Sequence, residues 1–467
     1  MEFVDRKTEI KELERVLSQD SKPKFVVVFG RRRLGKSTLI KKVLHPSDIY
    51  YMAVDMVTQL QLDMLRTQLS VKFPILSTIS IDSWEALLLM VNNLTTEQFT
   101  LCLDEFPYLV KHSPELPSIL QRLIDSGELK YNLIICGSSQ RMMQNMILSR
   151  SEPLFGRAQV IIDLKPIPIS YMQEALKFSP INTIEEYSIW GGVPRYWELR
   201  EEYSNLKEAI VATMLSSTGV LYDEPKRLFL DDMAATVQSE SLMAVIAGGA
   251  SRLSEIAARM GKEATALSGP LDKLLQMNYL RREIPFGESP KKSKKGIYKI
   301  NDPMMDFYYS FIIPNLSNIG RGRTEYVIDE IETKINEYVG RFWEYLCREA
   351  ISGNKLFGHR WKEASRWWGN VPMSGMKESH GKFREMEFDV VAESSDGTAL
   401  LVGECKWTNP EVASELEKKL RSKAELLPFA KGKEIITVLF LKHPPKDKDS
   451  DYNILYPQDV INLSYGD

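Results

Sequence analysis

Residues 25–44 read Phe-Val-Val-Val-Phe-Gly-Arg-Arg-Arg-Leu-Gly-Lys-Ser-Thr-Leu-Ile-Lys-Lys-Val-Leu. An apolar strand that turns through a loop bracketed by two glycines into a helix opening on Lys-Ser-Thr leaves few folds open. It is the cradle used to hold phosphate groups. Each residue type in Gly30, Arg31, Arg32, Arg33, Leu34, Gly35, Lys36, Ser37 and Thr38 has a task. The glycines allow the tight turn that aims backbone N–H groups at phosphate oxygens, and the helix N-terminus adds partial positive charge. Lys36 is expected to reach the β- and γ-phosphates and Ser37 to hold a magnesium ion. ATP and Mg2+ are therefore the expected cofactors.

Two later apolar runs complete a nucleotide site. Phe99-Thr100-Leu101-Cys102-Leu103 ends in Asp104-Glu105. Asp104 at the strand end is expected in the magnesium shell, and Glu105 is expected to polarise the attacking water. Tyr131 to Gly137 forms a third strand ending in Ser138-Ser139-Gln140. Polar residues at the carboxyl end of a doubly wound sheet face the nucleotide crevice, so Ser138 or Ser139 would sense the γ-phosphate; a helix N-cap serine reads equally well. Leu154-Phe155-Gly156-Arg157 then precedes the apolar strand 159–164. Arg157 is placed to act as an arginine finger, within the chain or on a neighbouring copy in a homo-oligomer.

Composition sets limits on the rest. The 467 residues are enough for about three domains. The formal net charge of −3 gives no global basic bias, so any nucleic-acid contact must come from local patches. The four cysteines form no CxxC pair and read as small apolar residues in a reducing compartment. No apolar run reaches 18 residues, which argues against a membrane partner. The chain is expected to be cytoplasmic.

The order Phe3-Val4-Asp5-Arg6, FGRRRLGKSTLI, LCLDEFPYLV, IICGSSQRMM, LFGRA and Gly191-Gly192-Val193-Pro194-Arg195-Tyr196 resembles the archaeal ATPase family of the AAA+/STAND group over roughly the first 220 residues. The resemblance implies that Asp5-Arg6 lies near the adenine base. It also implies that the GGVPRY segment belongs to a small helical lid, with Arg195 a second sensor.

The middle of the chain changes character. Helices are expected at 244–247, at 253–262 closed by Gly261, and at 263–280. Strands follow at 280–284 and 296–300, with Lys291, Lys292, Lys294 and Lys295 between them. That is a winged helix with a basic wing tip. It fits DNA through phosphate contacts, or a scaffold with a solvated lysine loop. Pro270 inside the third helix should kink it or delay its start. The resemblance implies the same winged-helix middle.

Near the C-terminus, residues 383–392 alternate as a strand, 394–398 form a turn, and 399–407 return. Period two puts Glu404 and Lys406 on one face, and hairpin pairing can bring Asp389 alongside. Two carboxylates and a lysine are the layout of a Mg2+-dependent phosphodiesterase. Asp389 and Glu404 would bind metal, and Lys406 would position water and stabilise charge. Cross-strand charge pairs on a solvated face are the competing reading, weakened by the apolar neighbours of Asp389. The pattern resembles the PD-(D/E)XK nuclease fold, whose first-helix acidic residue matches Glu344. The expected architecture is multidomain α/β. It comprises a doubly wound P-loop core (1–165), a helical lid (166–225), a winged helix (226–315) and a restriction-endonuclease-like α/β domain (316–467). Function divides between an ATPase coupled to a DNA-binding, Mg-dependent nuclease and a nucleotide-gated scaffold that does not cut.

Overall fold

The computed structural model describes residues 3–18, 22–232, 236–291, 293–372, 383–409, 411–447 and 452–464. Its first half is built on five parallel strands: β1 (Phe25–Phe29), β2 (Ile49–Met52), β3 (Thr100–Asp104), β4 (Asn132–Gly137) and β5 (Val160–Asp163), in the order β2-β3-β4-β1-β5. All five residues of β1 are buried, as are all five of β3 and all six of β4. This is the near-continuous apolar run of a strand covered on both faces. Val26 and Val28 face one core, and Val27 and Phe29 the other. Because β4 lies between β1 and β3, the loops after all three open on one edge, at the point where the strand order reverses.

Helices Ile169–Leu176, Pro180–Trp190, Pro194–Glu201 and Leu206–Ile210 follow the sheet. Gly192 is required by close approach: a Cβ there would lie 2.1 Å from the carbonyl oxygen of Ile167. The middle of the chain contains helices Thr236–Ala247, Leu253–Met260 and Ala264–Gln276, then the antiparallel pair β6 (Leu280–Glu283) and β7 (Ile297–Ile300). The first helix is longer than expected, and the third stops before Leu280, which opens β6. Pro270 neither delays nor ends the third helix, which already starts at Ala264. Its buried face, Leu267, Leu271 and Leu274, carries it through. Gly261 closes the second helix with φ +61. Lys292 lies outside the described residues.

The 28-residue helix Thr324–Ile351 carries Glu344. After the small pair β8 (Lys355–Leu356) and β9 (His359–Arg360) comes a mixed sheet. Its strands are β10 (Ser365–Pro372), β11 (Phe383–Glu393), β12 (Ala399–Lys406), β13 (Glu434–Leu441) and β14 (Ile454–Leu455), in chain order. The first two pairings are antiparallel and the last two parallel. The long helix covers one face of β11 and β12, and helix Ala413–Ala424 covers the other face of β12 and β13.

One apolar core runs from Leu13 through the near face of the first sheet, the helices of the middle region and the long helix to Phe440 and Ile461. The far face of each sheet has its own separate core. The two sheets thus share a continuous interior, which the four-part division of the sequence did not anticipate. No helix among the described residues is long and apolar enough to cross a membrane.

Candidate functional sites: a phosphate cradle and a carboxylate pocket

The loop after β1 bends where its sequence says it must. A Cβ on Gly30 would sit 2.6 Å from the Leu164 carbonyl oxygen, and Gly35 has φ +87 as it opens helix Lys36–Val43. The Lys36 ammonium is held over the loop by the carbonyls of Gly30 (2.8 Å) and Arg31 (3.0 Å). Ser37 Oγ donates to Asp104 Oδ2 at 2.6 Å, the Tyr50 hydroxyl donates to the same oxygen, and the Glu105 N–H donates to Oδ1. Burial alone would raise the Asp104 carboxyl, but the bonds from Ser37, Tyr50 and the Glu105 backbone outweigh it and hold it below its ordinary range. A carboxylate kept ionised beside a serine hydroxyl fits the coordination shell of Mg2+.

Glu105 ends β3 in a left-handed conformation, φ 52. Ser138, at the end of β4, donates its hydroxyl to Glu105 Oε1 at 2.7 Å. A cavity of about 430 Å3 is lined by Phe3, Arg6, Arg32 to Thr38, Glu105, Ser138 and Arg195. Arg6 is also a clamp: its Nη2 donates to the carbonyls of Leu34 and Lys165. Arg195 lines the cavity while paired with Glu198 at 2.9 Å.

Three expected arginines behave differently. Arg31 does not line this cavity. It turns away into a buried ion pair with Asp302 (2.5 Å) and lies 5.4 Å from the centre of the Tyr279 ring. Burial alone would lower its guanidinium, and Asp302 more than offsets that. Arg33 lines the cavity but gives Nη2 to the buried Glu224 at 3.0 Å, which also accepts from the Tyr196 hydroxyl. Arg157 does not line the cavity of its own chain; it forms a two-pronged pair with Asp125 at 2.9 and 2.8 Å. An exposed carboxylate, Asp125, thus holds the guanidinium outside that cavity. Sequence reasoning missed Tyr50, Glu224 and Asp302. Tyr50 lies on β2, a strand too short to stand out. Asp302 had a visible signal, an Asp-Pro helix start, and its side chain caps Met305 N at 2.7 Å.

In the second sheet, pairing fixes Trp367 opposite Phe388 and Ser365 opposite Val391. Three steps along β11 match two along β10, so β11 carries a bulge holding Asp389. The bulge resets the alternation: Met386, Phe388 and Val391 face the far core while Val390 and Ala392 face the shared one. It also lets Asp389 Oδ2 accept from Cys405 N at 2.8 Å. Asp389 and Glu404 then line a single pocket of about 280 Å3 with Glu387 and Lys423. Lys406 Nζ bonds Glu404 Oε1 at 2.7 Å. Burial, with the Glu344 and Glu404 carboxylates beside it, pushes the Asp389 carboxyl up to about 7. Glu344 is itself pushed up, mainly by burial.

Asp389 and Glu404 therefore share a pocket, and Lys406, which is not part of its lining, bonds Glu404. Glu344 does not complete a metal cluster with them: among the described residues, no three His, Cys, Asp or Glu side chains are grouped closely enough to hold an ion. Two carboxylates still suit Mg2+, which keeps several waters and takes one or two carboxylates. Of the tryptophans Trp361, Trp367 and Trp368, the first two are buried, in different cores, and so offer no stacking surface.

Residues 3–200 match the family model of an ATPase domain predominantly from Archaea, and residues 308–422 match a family described as archaeal and bacterial proteins of unknown function. An uncharacterized protein of Methanocaldococcus jannaschii is 29% identical over 415 residues, 87% of each chain. A Walker-type ATPase of Pyrococcus abyssi superposes with a TM-score of 0.50 at 18% identity, covering 66% of this chain and 96% of that one. That likeness concerns the fold. Residues 3–200 are thus similar in sequence to that ATPase domain and share the P-loop ATPase fold, and a domain built on a mixed sheet follows.

Proposed function

We propose that the chain is an ATP-hydrolysing switch whose C-terminal carboxylate pocket acts on the phosphodiester backbone of DNA. In the P-loop site, Lys36 would leave its two carbonyl partners for the β- and γ-phosphates. Ser37 and Asp104 would hold Mg2+, which supplies charge neutralisation at the transferred phosphoryl group. Glu105, released from Ser138, would orient the attacking water. A non-glycine residue held at positive φ costs about 1–3 kcal/mol and persists where the surroundings require it, which suits a catalytic assignment for Glu105. Arg157 would serve a neighbouring copy only.

The observation that carries the second half is that Asp389 and Glu404 line one pocket while Lys406 bonds Glu404. The two carboxylates would hold the divalent ion and Lys406 would stabilise developing charge. The helices 236–276 with the β6–β7 hairpin read as a winged helix, with Lys291, Lys294 and Lys295 at its tip. Ser251 and Arg252 extend the hairpin, through a bridge from Arg252 to Ile297. The exposed face of helix Ala264–Gln276 has Ser268, Asp272 and Gln276 but no arginine, so phosphate contact is favoured over base reading. Arg31–Asp302 and Arg33–Glu224 tie the P-loop to the elements beyond it, a ready route for nucleotide state to bias the effector between two arrangements.

The absence of a three-ligand cluster among the described residues favours a second reading, a nucleotide-gated scaffold that does not cut. Incubation of labelled DNA with the full chain and Mn2+ separates the two. Cleavage is expected, and it should vanish in Lys406→Ala while Mn2+ still binds; no cleavage by the unmodified chain would leave the scaffold reading in place.

A further inference from the structure

A second cavity, of about 190 Å3, lies between the β6–β7 hairpin and the long helix, away from the P-loop. Its basic lining comes from four elements: Arg281 on β6, Lys299 on β7, Arg341 and Arg348 on the long helix, and Arg366 on β10. The acidic lining is Glu283, Asp306 and Glu344. Five cations face three carboxylates, a formal excess of two positive charges in a partly desolvated space.

Pairing inside the cavity does not consume that excess; outside its lining Arg366 also meets Glu387 and Arg341 meets Glu337, both solvent-exposed carboxylates whose charge is largely screened. Three of the arginines converge on one carboxylate: Arg281, Arg348 and Arg366 stand 3.0, 3.2 and 3.7 Å from Glu283. Arg366 Nε is buried without a hydrogen-bond partner. The Lys299 ammonium makes no hydrogen bond or ion pair among the described residues; burial pulls it down, and the charges of Arg366, Arg341 and Arg281 add to that against the opposing pull of Glu283. Asp306, a second carboxylate of the lining, is pushed up by burial and so compensates less than its formal charge. Like charges crowded in a low dielectric destabilise the fold unless a counter-charge joins them. The group that fits an excess of two, with several forked donors around it, is a phosphate.

The cavity also shares a wall with the carboxylate pocket. Arg348 Nη1 donates to the Asp389 carbonyl at 3.0 Å, and Arg366 bonds Glu387, which lines that pocket. We propose that this cavity is a phosphate-binding site, placed to seat a phosphate of a nucleic-acid strand beside Asp389 and Glu404. It stands on its own charges and does not require those carboxylates to hold a metal.

The test is calorimetric titration of inorganic phosphate into the full chain saturated with a non-hydrolysable ATP analogue and Mg2+, so that the γ-phosphate position of the P-loop is already filled. One phosphate per chain is expected, bound at least tenfold more weakly by Lys299→Gln and by Arg341→Gln, and bound normally by Glu404→Ala. Arg341 is half exposed, so its variant should fold even if the Lys299 variant does not. Absence of phosphate binding, or undiminished affinity in both variants, would overturn the site. Competing oligonucleotides then identify the source. Displacement by a 5′-phosphorylated strand alone assigns a strand end, displacement equally by a 5′-hydroxyl strand assigns internal phosphodiesters, and displacement by neither assigns free phosphate.

Discussion

The phosphate cradle and the carboxylate pocket hold their acidic groups in opposite electrostatic states. At the cradle, Asp104 is buried yet kept ionised by donors from Ser37, Tyr50 and Glu105. At the pocket, Asp389 is buried beside Glu344 and Glu404, and its carboxyl rises to about 7. The first site is satisfied by its own chain before anything binds. The second carries an excess of negative charge that only a proton or a cation relieves. Most of a site of the first kind is readable in the sequence, because Ser37, Asp104 and Glu105 each sit in a recognisable motif even though Tyr50 does not. A site of the second kind depends on which long-range elements crowd together.

The largest expected effect breaks the first half of this comparison. Lys36→Ala should lower ATP hydrolysis about a thousandfold, the scale of losing a preorganised charge from a transition state. Glu105→Gln should cut turnover by about 10²–10⁴ while nucleotide binding persists, as measured by steady-state hydrolysis beside equilibrium binding. Wild-type turnover in Glu105→Gln would remove Glu105 from the catalytic assignment.

Next in size is the tie between the cradle and the rest of the molecule. Asp302→Ala leaves Arg31 buried without its counter-charge and should destabilise the chain by about 3–5 kcal/mol in denaturant unfolding. Pairing it with Arg31→Met should recover much of that loss. A double variant no more stable than Asp302→Ala would mean that helix capping, not the ion pair, is what Asp302 contributes.

The pocket gives a smaller effect of distinctive sign. A carboxyl whose folded value lies above its unfolded one stabilises at low pH, and that contribution is lost as pH rises from about 4 through 7. Asp389→Asn removes the penalty and keeps an acceptor for the Cys405 N–H. Without divalent ions it should unfold at a higher temperature than the parent at pH 8 and show little difference at pH 4, each tenfold change in proton affinity being worth about 1.4 kcal/mol. Mn2+ should stabilise the parent more at pH 8 than at pH 6 and leave Asp389→Asn unmoved. The smallest effect is at the hairpin tip, where replacing Lys291, Lys294 and Lys295 with alanine should flatten the salt dependence of DNA binding by about 0.9 per lost contact.

What the sequence could reveal follows the same division. Lys36, Ser37, Asp104, Glu105 and Ser138 were legible because strand ends and a glycine loop place them within a few residues of recognisable punctuation, and parallel topology brings those ends together. The turn of Arg31 away from the cavity and the tie of Arg33 to Glu224 were not legible, because Asp302 and Glu224 lie far along the chain and nothing local says which way a loop arginine turns. Arg157 was placed by order along the chain, whereas Asp125 holds it elsewhere. Asp389, Glu404 and Lys406 were legible as a pattern. The bulge at Asp389 was not, because only the register against β10 defines it, and one residue of slip decides which face a side chain takes. The crowding of Glu344 and the arginines around the pocket depends on how the long helix seats on the sheet, which no short pattern encodes.

The most direct test of the account is nicking of supercoiled plasmid by the full chain with Mg2+ or Mn2+, read with ATP, with ADP and without nucleotide. Cleavage is expected to need the divalent ion, to vary with nucleotide, and to disappear in Glu404→Ala while that variant still hydrolyses ATP. In Lys36→Ala, cleavage should cease to respond to ATP. Intact plasmid under every condition, or nicking that survives in Glu404→Ala, would contradict the account and leave a P-loop ATPase whose C-terminal pocket binds without cutting.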